Sequence, residues 1–344
     1  MTVTPMFKAS RGEAPSEAVH SPPGVLVLPA EAAATSGEAG ETHRATESGD
    51  LPPGERQGEG QAAADKLAGT DIATLGARNL PVKWQPASSK LILVTKSRGG
   101  AGATSVAVNL GLELQGSRGL FRRSSRRRVA LLDFDVQFGN VGNLLDLEDR
   151  GGMLALMRLA EEPDAQAVRN ALLTHASGLK VMVAPRMAVP LEALDIHRVR
   201  SIISALEFEY DYIVVDLPPA LVSWLEPLLV RAERLLMVSD LAVPSIACAR
   251  RILDLMREDN PEIPAEVVVS REAKPVIKRK VHREASAALG LPLRHWLPNE
   301  PKLSRLALDR GEPLSTLAPR SPWTKSLRQI AMSIEAARFK ENRA

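Results

Sequence analysis

Residues 91–105 read Leu-Ile-Leu-Val-Thr-Lys-Ser-Arg-Gly-Gly-Ala-Gly-Ala-Thr-Ser, and this stretch decides the fold. The four apolar residues at 91–94 predict a strand that is covered on both faces. The three glycines that follow can adopt positive φ, which lets backbone N–H groups converge on an anion. A helix predicted over 103–114 directs its partially positive N-terminus to the same place. The stretch therefore predicts a phosphate-binding loop.

The loop departs from the standard phosphate loop at one position. Standard loops end in Gly-Lys-Ser/Thr, with the lysine on the β and γ phosphates and the hydroxyl on Mg²⁺. Here Gly102 is followed by Ala103 and Thr104, so the hydroxyl is present and the lysine is absent. The positive charge must then come from another side chain, and Arg98 or Lys96 is the candidate. This pattern favours nucleotide binding over fast hydrolysis.

Carboxylates follow two further predicted strands. Asp133 and Asp135 end the strand predicted over 129–134, and Asp216 ends the apolar run 211–216, which Pro218 terminates. Ligands in open α/β sheets bind at the carboxyl ends of strands, which makes these acids site candidates. The form of 211–216 is that of a Walker B strand, whose carboxylate holds Mg²⁺. The alternative for Asp133 and Asp135 is a capping role in the next turn.

The loop carries a family resemblance. Arg98-Gly-Gly-Ala-Gly-Ala-Thr-Ser105 resembles the deviant Walker A motif of the MinD/ParA superfamily, whose pattern is Lys-Gly-Gly-x-Gly-Lys-Thr-Thr. Arg98 falls at the signature lysine of that motif. The loop looks most like the CpaE/TadZ pilus-assembly branch, in which alanine often replaces the second lysine. Segments 290–299 and 309–314 also look like the closing segments of that branch, so the resemblance covers about residues 89–340.

The resemblance implies a P-loop NTPase-like α/β fold, with a mostly parallel sheet and helices on both faces. It implies a homodimer that binds ATP and Mg²⁺ and that positions or scaffolds a Flp/Tad-type pilus secretion machine. Thr104, Asp133 and Asp216 would hold the metal, and Asp135 would orient the attacking water. Ser270 stands where relatives have an asparagine that contacts adenine. The implied nucleotide-binding residues are Arg98, Gly99, Gly100, Ala101, Gly102, Ala103, Thr104, Ser105 and Ser270.

Composition divides the chain into two parts. Residues 1–88 are rich in Ala, Gly, Glu, Pro and Ser and show no sustained apolar period, so we expect a disordered low-complexity tail there. Residues 89–344 alternate predicted strands and helices, which indicates parallel βαβ units and one nucleotide-binding domain.

Charge is uneven along the chain. The tail has seven Lys/Arg against eleven Asp/Glu, so with +3 overall the remainder has +7. Much of this excess lies in 118–128, which has six arginines, and in 271–283. Such clusters indicate an acidic partner, namely nucleic acid, anionic lipid or an acidic protein surface, or else they are solvated loops.

The expected cellular compartment is inferred from features that the sequence lacks. The single cysteine, Cys248, excludes an intrachain disulfide and favours a reducing cytoplasm. We expect neither a signal segment nor a membrane-spanning run of roughly 20 apolar residues. Any recruitment to the inner face of the membrane or to the cell pole would then be peripheral. The last predicted helix, 322–339, has an apolar stripe that we expect to pack on the domain rather than on lipid.

Three alternatives to the pilus-type ATPase remain open from the sequence. The first is a ParA-like partition ATPase that coats DNA through its arginines, with steep salt dependence. The second is an NAD-dependent enzyme, which Ser105 and the distance to the next acid oppose. The third is a degenerate scaffold that binds no nucleotide, which the missing lysine and Ser270 favour.

Overall fold

One eight-stranded sheet organises the domain in this computed structural model, which describes residues 89–116 and 126–341. The spatial order is β3-β4-β2-β5-β1-β6-β7-β8, and neighbours run parallel except β3 and β4. The strands are β1 (Lys90–Lys96), β2 (Val129–Asp133), β3 (Leu173–Thr174), β4 (Lys180–Met182), β5 (Tyr212–Asp216), β6 (Ala232–Ser239), β7 (Ala265–Val269) and β8 (Leu293–Trp296).

Helices connect the strands and cover both faces of the sheet. They are α1 (Ala103–Gln115), α2 (Val141–Leu144), α3 (Gly152–Arg158), α4 (Ala165–Ala171), α5 (Ile196–Glu207), α6 (Glu226–Arg231), α7 (Val243–Asp259), α8 (Lys280–Leu289), α9 (Pro301–Arg310), α10 (Leu314–Leu317) and α11 (Pro322–Glu341).

The sheet separates two hydrophobic cores. Leu91 and Leu93 face the core that includes side chains of α3 to α8, whereas Ile92 and Val94 face the core formed with α1 and α11. All seven residues of β1 are buried, as expected for a central strand covered on both sides. The predicted α/β fold, with a mostly parallel and doubly covered sheet, is confirmed.

The apolar stripe of α11 packs on the domain, as predicted. Trp323, Leu327, Ile330 and Ile334 are all buried in the core beside α1. The Arg328 guanidinium adds an ion pair with Glu113 of α1, with Nε 2.8 Å from Oε2. None of the helices in the described part of the chain has the length and apolar character needed to cross a bilayer.

The docking of α11 gives a first stability test. Ile330 is 1% exposed, so Ile330→Val removes one buried methylene group and is expected to lower the free energy of unfolding by about 1 kcal/mol. The same substitution at Ile277, which is 80% exposed, is expected to change it by less than about 0.5 kcal/mol. Urea unfolding followed by circular dichroism measures both. Equal effects at the two positions would contradict the packing of α11.

One predicted helix boundary was wrong. The sequence over 164–174 has helical spacing and predicts a helix to the end of this segment, but the helix ends at Ala171, because Leu172 is extended and β3 pairs with β4. The short helices α2, α6 and α10 were not predicted, since segments of four to six residues have too few turns to show a period.

The described part of the first arginine cluster is tied to the domain. Arg126 donates to the Gln115 side chain at 2.7 Å, Arg127 contacts Glu335, and Arg128 lies 3.6 Å from Asp211. These three arginines therefore have intramolecular partners. The other three, at 118, 122 and 123, lie outside the described residues, as does the tail predicted over 1–88.

Candidate functional site

The glycine-rich loop joins β1 to α1, and two of its three glycines have the positive φ that the sequence analysis considered. Gly100 and Gly102 have φ values of 77° and 95°, in the left-handed region that favours glycine. Gly102 is the N-cap of α1, and no acidic side chain lies in the first turn. A Cβ built at Gly99 or Gly102 would meet no atom within 4 Å. The loop is therefore an open cradle beside a helix N-terminus, which is an arrangement suited to phosphate.

The second part of the site is a hydrogen bond between α1 and β5. The Thr104 hydroxyl donates to Asp216 Oδ2 at 2.7 Å. Val94 of β1 is in register with Asp216, which places the end of β5 directly beside the start of the loop. Two of the residues that the resemblance assigns to the metal are therefore in direct contact with each other.

The three predicted acids lie together at the carboxyl edge of the sheet. Asp133 is in register with Asp216, and Asp133, Asp135 and Asp216 are each no more than 1% exposed. Burial raises the pKa of Asp216 to about 6, with Asp135 adding to the rise and Lys96 and the Thr104 hydrogen bond opposing it. Burial, followed by the charge of Asp216, raises the pKa of Asp133 well above its ordinary value. The edge therefore holds carboxylates that are costly to ionise without a cation.

Two of these acids also bond to the turn after β2. Asp133 Oδ2 accepts from the Val141 N–H at 3.0 Å, and Asp135 Oδ1 accepts from the Phe138 N–H at 3.2 Å. The capping role that the sequence left open is thus present for both. One oxygen each of Asp133 and Asp216, Oδ1 in both, has no hydrogen-bond partner within the described residues.

The two candidate cations from the sequence, Lys96 and Arg98, are already paired with acids. Lys96 Nζ lies 2.6 Å from Asp135 Oδ2, with both side chains largely buried. Arg98, at the position of the signature lysine, is half-exposed and pairs with Asp240 at 2.7 Å. Ala103 occupies the position of the usual second lysine and is buried. None of these three side chains therefore replaces the positive charge that the missing lysine would supply to the phosphates.

A cleft of about 750 Å³ extends from the loop. One wall is Lys96 and residues 99–106, and the other includes Ser270, Arg271 and the segment 297–301 after β8. Asp133, Asp135 and Asp216 do not line it, so Thr104 connects the cleft to the buried acids. The predicted contact residue Ser270 does line the cleft, and its hydroxyl has no partner within the described residues.

Arg271 is a site residue that the sequence reasoning did not single out. Its guanidinium donates to the Gly100 carbonyl oxygen, so a cation lies over the loop from a residue 171 positions away. Arg271 also has a φ of 62°, which is uncommon for a residue other than glycine and occurs often at functional sites. Two signals were available, namely its place directly after Ser270 past the end of β7 and its membership of the basic cluster 271–283.

The donor set fits Mg²⁺ bound together with a nucleotide. Within the described ranges, no three His, Cys, Asp or Glu side chains are positioned so that they could hold a metal ion by themselves. Mg²⁺ does not require such a group, because it is commonly held by one or two protein oxygens together with substrate phosphates and water. The Thr104 hydroxyl and the unpartnered Asp216 oxygen are suitable ligands next to the cradle.

Comparison with known sequences identifies the family. Residues 89–263 match the family model described as an AAA domain, AAA_31. The chain belongs to the AAA domain family. This AAA domain is 25% identical over 232 residues to the septum site-determining protein MinD of Synechocystis, covering 66% of the chain and 82% of that protein. It is 29% identical over 155 residues to a ParA family protein of Chlamydia muridarum, covering 43% of this chain and 57% of that protein. It is thus a MinD/ParA-superfamily P-loop domain.

Solved structures show the same fold. A ParA family ATPase from Chlorobium tepidum aligns with a TM-score of 0.60 at 19% identity, over 71% of this chain and 98% of that one. MinD from Pyrococcus horikoshii, complexed with Mg-ADP, aligns with a TM-score of 0.54 at 17% identity, over 72% and 96%. At these identities the likeness to this AAA domain is one of fold.

Proposed function

We propose that this domain binds ATP with Mg²⁺ in the cleft and hydrolyses it slowly or not at all. The observation that supports this most directly is the Thr104–Asp216 hydrogen bond beside an open glycine cradle. Backbone N–H groups and the α1 N-terminus would hold the phosphates, and Thr104 and Asp216 would hold the metal. When bound, Mg²⁺ neutralises charge on the phosphate oxygens.

Slow turnover follows from the charges around the loop. Ala103 supplies no cation, and Lys96 and Asp135 neutralise one another. In this proposal Arg271 contributes positive charge over the loop, and Ser270 and the segment 297–301 border the base. A single exposed arginine gives weaker stabilisation of transition-state charge than a lysine built into the loop.

Calorimetry on the full chain tests the proposal. We expect ATP to bind when Mg²⁺ is present, and Thr104→Ala to weaken this binding about tenfold, because the side chain between the cleft and Asp216 is lost. Thr104→Ser keeps the hydroxyl and is the matched control, with binding close to that of the unmodified chain. Absence of ATP binding by the unmodified chain would contradict the proposal and favour a nucleotide-free scaffold.

We further propose that the biological role is that of the CpaE/TadZ branch, namely positioning or scaffolding of a Flp/Tad-type pilus machine as a homodimer. Support comes from the alanine at 103 and from the closing segments 290–299 and 309–314, parts of which line the cleft. Deletion of the gene in the organism that encodes this chain is expected to remove surface pili, and expression of the full chain in the deletion strain is expected to restore them. Normal piliation after deletion would contradict this role.

A further inference from the structure

The segment 271–283, which follows β7 and includes the first turn of α8, is a basic surface that nucleotide binding does not use beyond Arg271. It holds six Lys/Arg and one acid, Glu272. The cations from Lys274 onward are solvent-exposed, and only Arg279 and Lys280 have acidic partners among the described residues. The segment therefore presents a concentrated positive charge to solvent.

Two aliphatic side chains form the tip of this segment. Val276 is fully exposed, at 101%, and Ile277 is 80% exposed. Pro275 precedes them, and Lys274 and Lys278 flank the three residues. Apolar side chains that are fully hydrated next to cations gain nothing from the domain itself, so their placement indicates a partner that is both apolar and anionic.

The base of the segment is held in place, which presents the tip in one position. Glu272 Oε1 lies 3.1 Å from Arg279 Nη2 and 2.9 Å from His282 Nε2. The Arg279 N–H donates to His282 Nδ1, and Arg283 donates to the Lys278 carbonyl oxygen, both at 3.1 Å. The buried His282 ring also packs edge-on against Trp296 of β8. A tip fixed in this way loses little conformational entropy on docking.

We propose that residues 274–283 form a docking element for an anionic lipid bilayer. Val276 and Ile277 insert at the boundary between headgroups and acyl chains, and Lys274, Lys278 and Lys280 contact lipid phosphates. Peripheral membrane elements combine buried apolar area with attraction between basic residues and anionic lipid, and the tip has both. The apolar stripe of α11 is buried, so this helix does not compete for the role.

The apolar tip favours lipid over nucleic acid. Non-specific DNA binding depends on cations that neutralise backbone phosphates, and two exposed aliphatic side chains add nothing to it. The element is also separate from the nucleotide proposal, because no residue from 274 to 283 lines the cleft. Failure of one proposal therefore leaves the other untouched.

Vesicle flotation of the full chain tests the docking element. The chain is expected to bind vesicles of phosphatidylcholine with one third phosphatidylglycerol and to bind pure phosphatidylcholine weakly. The double variant Val276→Ser, Ile277→Ser leaves the charge unchanged, and each of its two substitutions is expected to reduce vesicle binding about tenfold. Lys278→Ala is expected to reduce it about fivefold. Phe208→Ser, at a side chain 83% exposed on α5's C-cap, is the matched control and is expected to have no effect.

Insertion has a spectroscopic readout of its own. Because Cys248 is the only cysteine, a Cys248→Ser, Ile277→Cys chain takes a polarity-sensitive dye at the tip alone. A blue shift with anionic vesicles supports the proposal. No vesicle binding, binding that the serine pair leaves unchanged, or retention on duplex DNA without vesicle binding would each overturn it, the last in favour of nucleic acid.

Discussion

Gly102→Val is expected to abolish Mg²⁺-dependent ATP binding, with a loss of at least about a hundredfold in affinity. Gly102 has a φ of 95° at the N-cap of α1, a conformation that a β-branched residue avoids. The space around its Cβ position contains no protein atom, so a valine side chain would occupy the opening that the proposal assigns to phosphate. Calorimetric titration with ATP and Mg²⁺ measures the loss.

Gly151→Val separates this steric effect from backbone strain. Gly151 is the N-cap of α3 with a φ of 78°, and its Cβ position is also free of neighbours. Both substitutions are expected to lower the free energy of unfolding by about 1–3 kcal/mol. Only Gly102→Val is expected to remove ATP binding. An equal loss of binding in both variants would attribute the effect to strain and weaken the assignment of the cradle.

The fold was predictable because its signals are local. The apolar run 91–94 and the helix predicted over 103–114 are buried elements that can be identified without knowledge of their partners, and both formed as expected. Regular alternation of strands and helices then leaves few arrangements other than a parallel sheet. The short β3 could not be predicted in the same way, because its two residues are fixed by pairing with β4.

The candidate site was predictable only where each of its parts is a continuous stretch of sequence. The glycine loop and the acids at strand ends have local patterns, and the parallel topology of the sheet then brings them together at one edge. By contrast, the Lys96–Asp135 pair and the contact of Arg271 with Gly100 join residues far apart in sequence. No local pattern distinguishes a lysine that binds phosphate from one that neutralises a buried acid, and the structure shows Lys96 in the second arrangement.

Asp216→Asn is expected to stabilise the chain without ligand while it removes Mg²⁺-dependent nucleotide binding. Burial raises the pKa of Asp216 from its ordinary 3.8 to about 6, so the folded state holds this proton more tightly than the unfolded state. The stability that this tighter proton binding gives is fully present below about pH 4 and is lost as the pH rises through about 6. The loss amounts to roughly 3 kcal/mol, and an asparagine at position 216 avoids it because its amide does not ionise.

Urea unfolding between pH 4 and pH 8, without nucleotide, measures this effect. The unmodified chain is expected to lose stability over this range more steeply than Asp216→Asn, so the variant is the more stable of the two at pH 8. Asp195→Asn is the matched control of opposite sign. Although burial alone raises the pKa of Asp195, hydrogen bonds from Arg198 lower it overall, so this substitution is expected to cost a little stability at pH 8.

The two effects of Asp216→Asn have one cause. The end of β5 places a carboxylate beside Asp133, out of water, where ionisation is costly unless a cation is close. Asparagine still accepts the Thr104 hydrogen bond but lacks the charge that holds Mg²⁺. A variant that is more stable yet unable to bind Mg²⁺-ATP would show that this carboxylate serves the ligand and not the fold. A variant that is less stable than the unmodified chain at pH 8 would show that the carboxylate serves the fold.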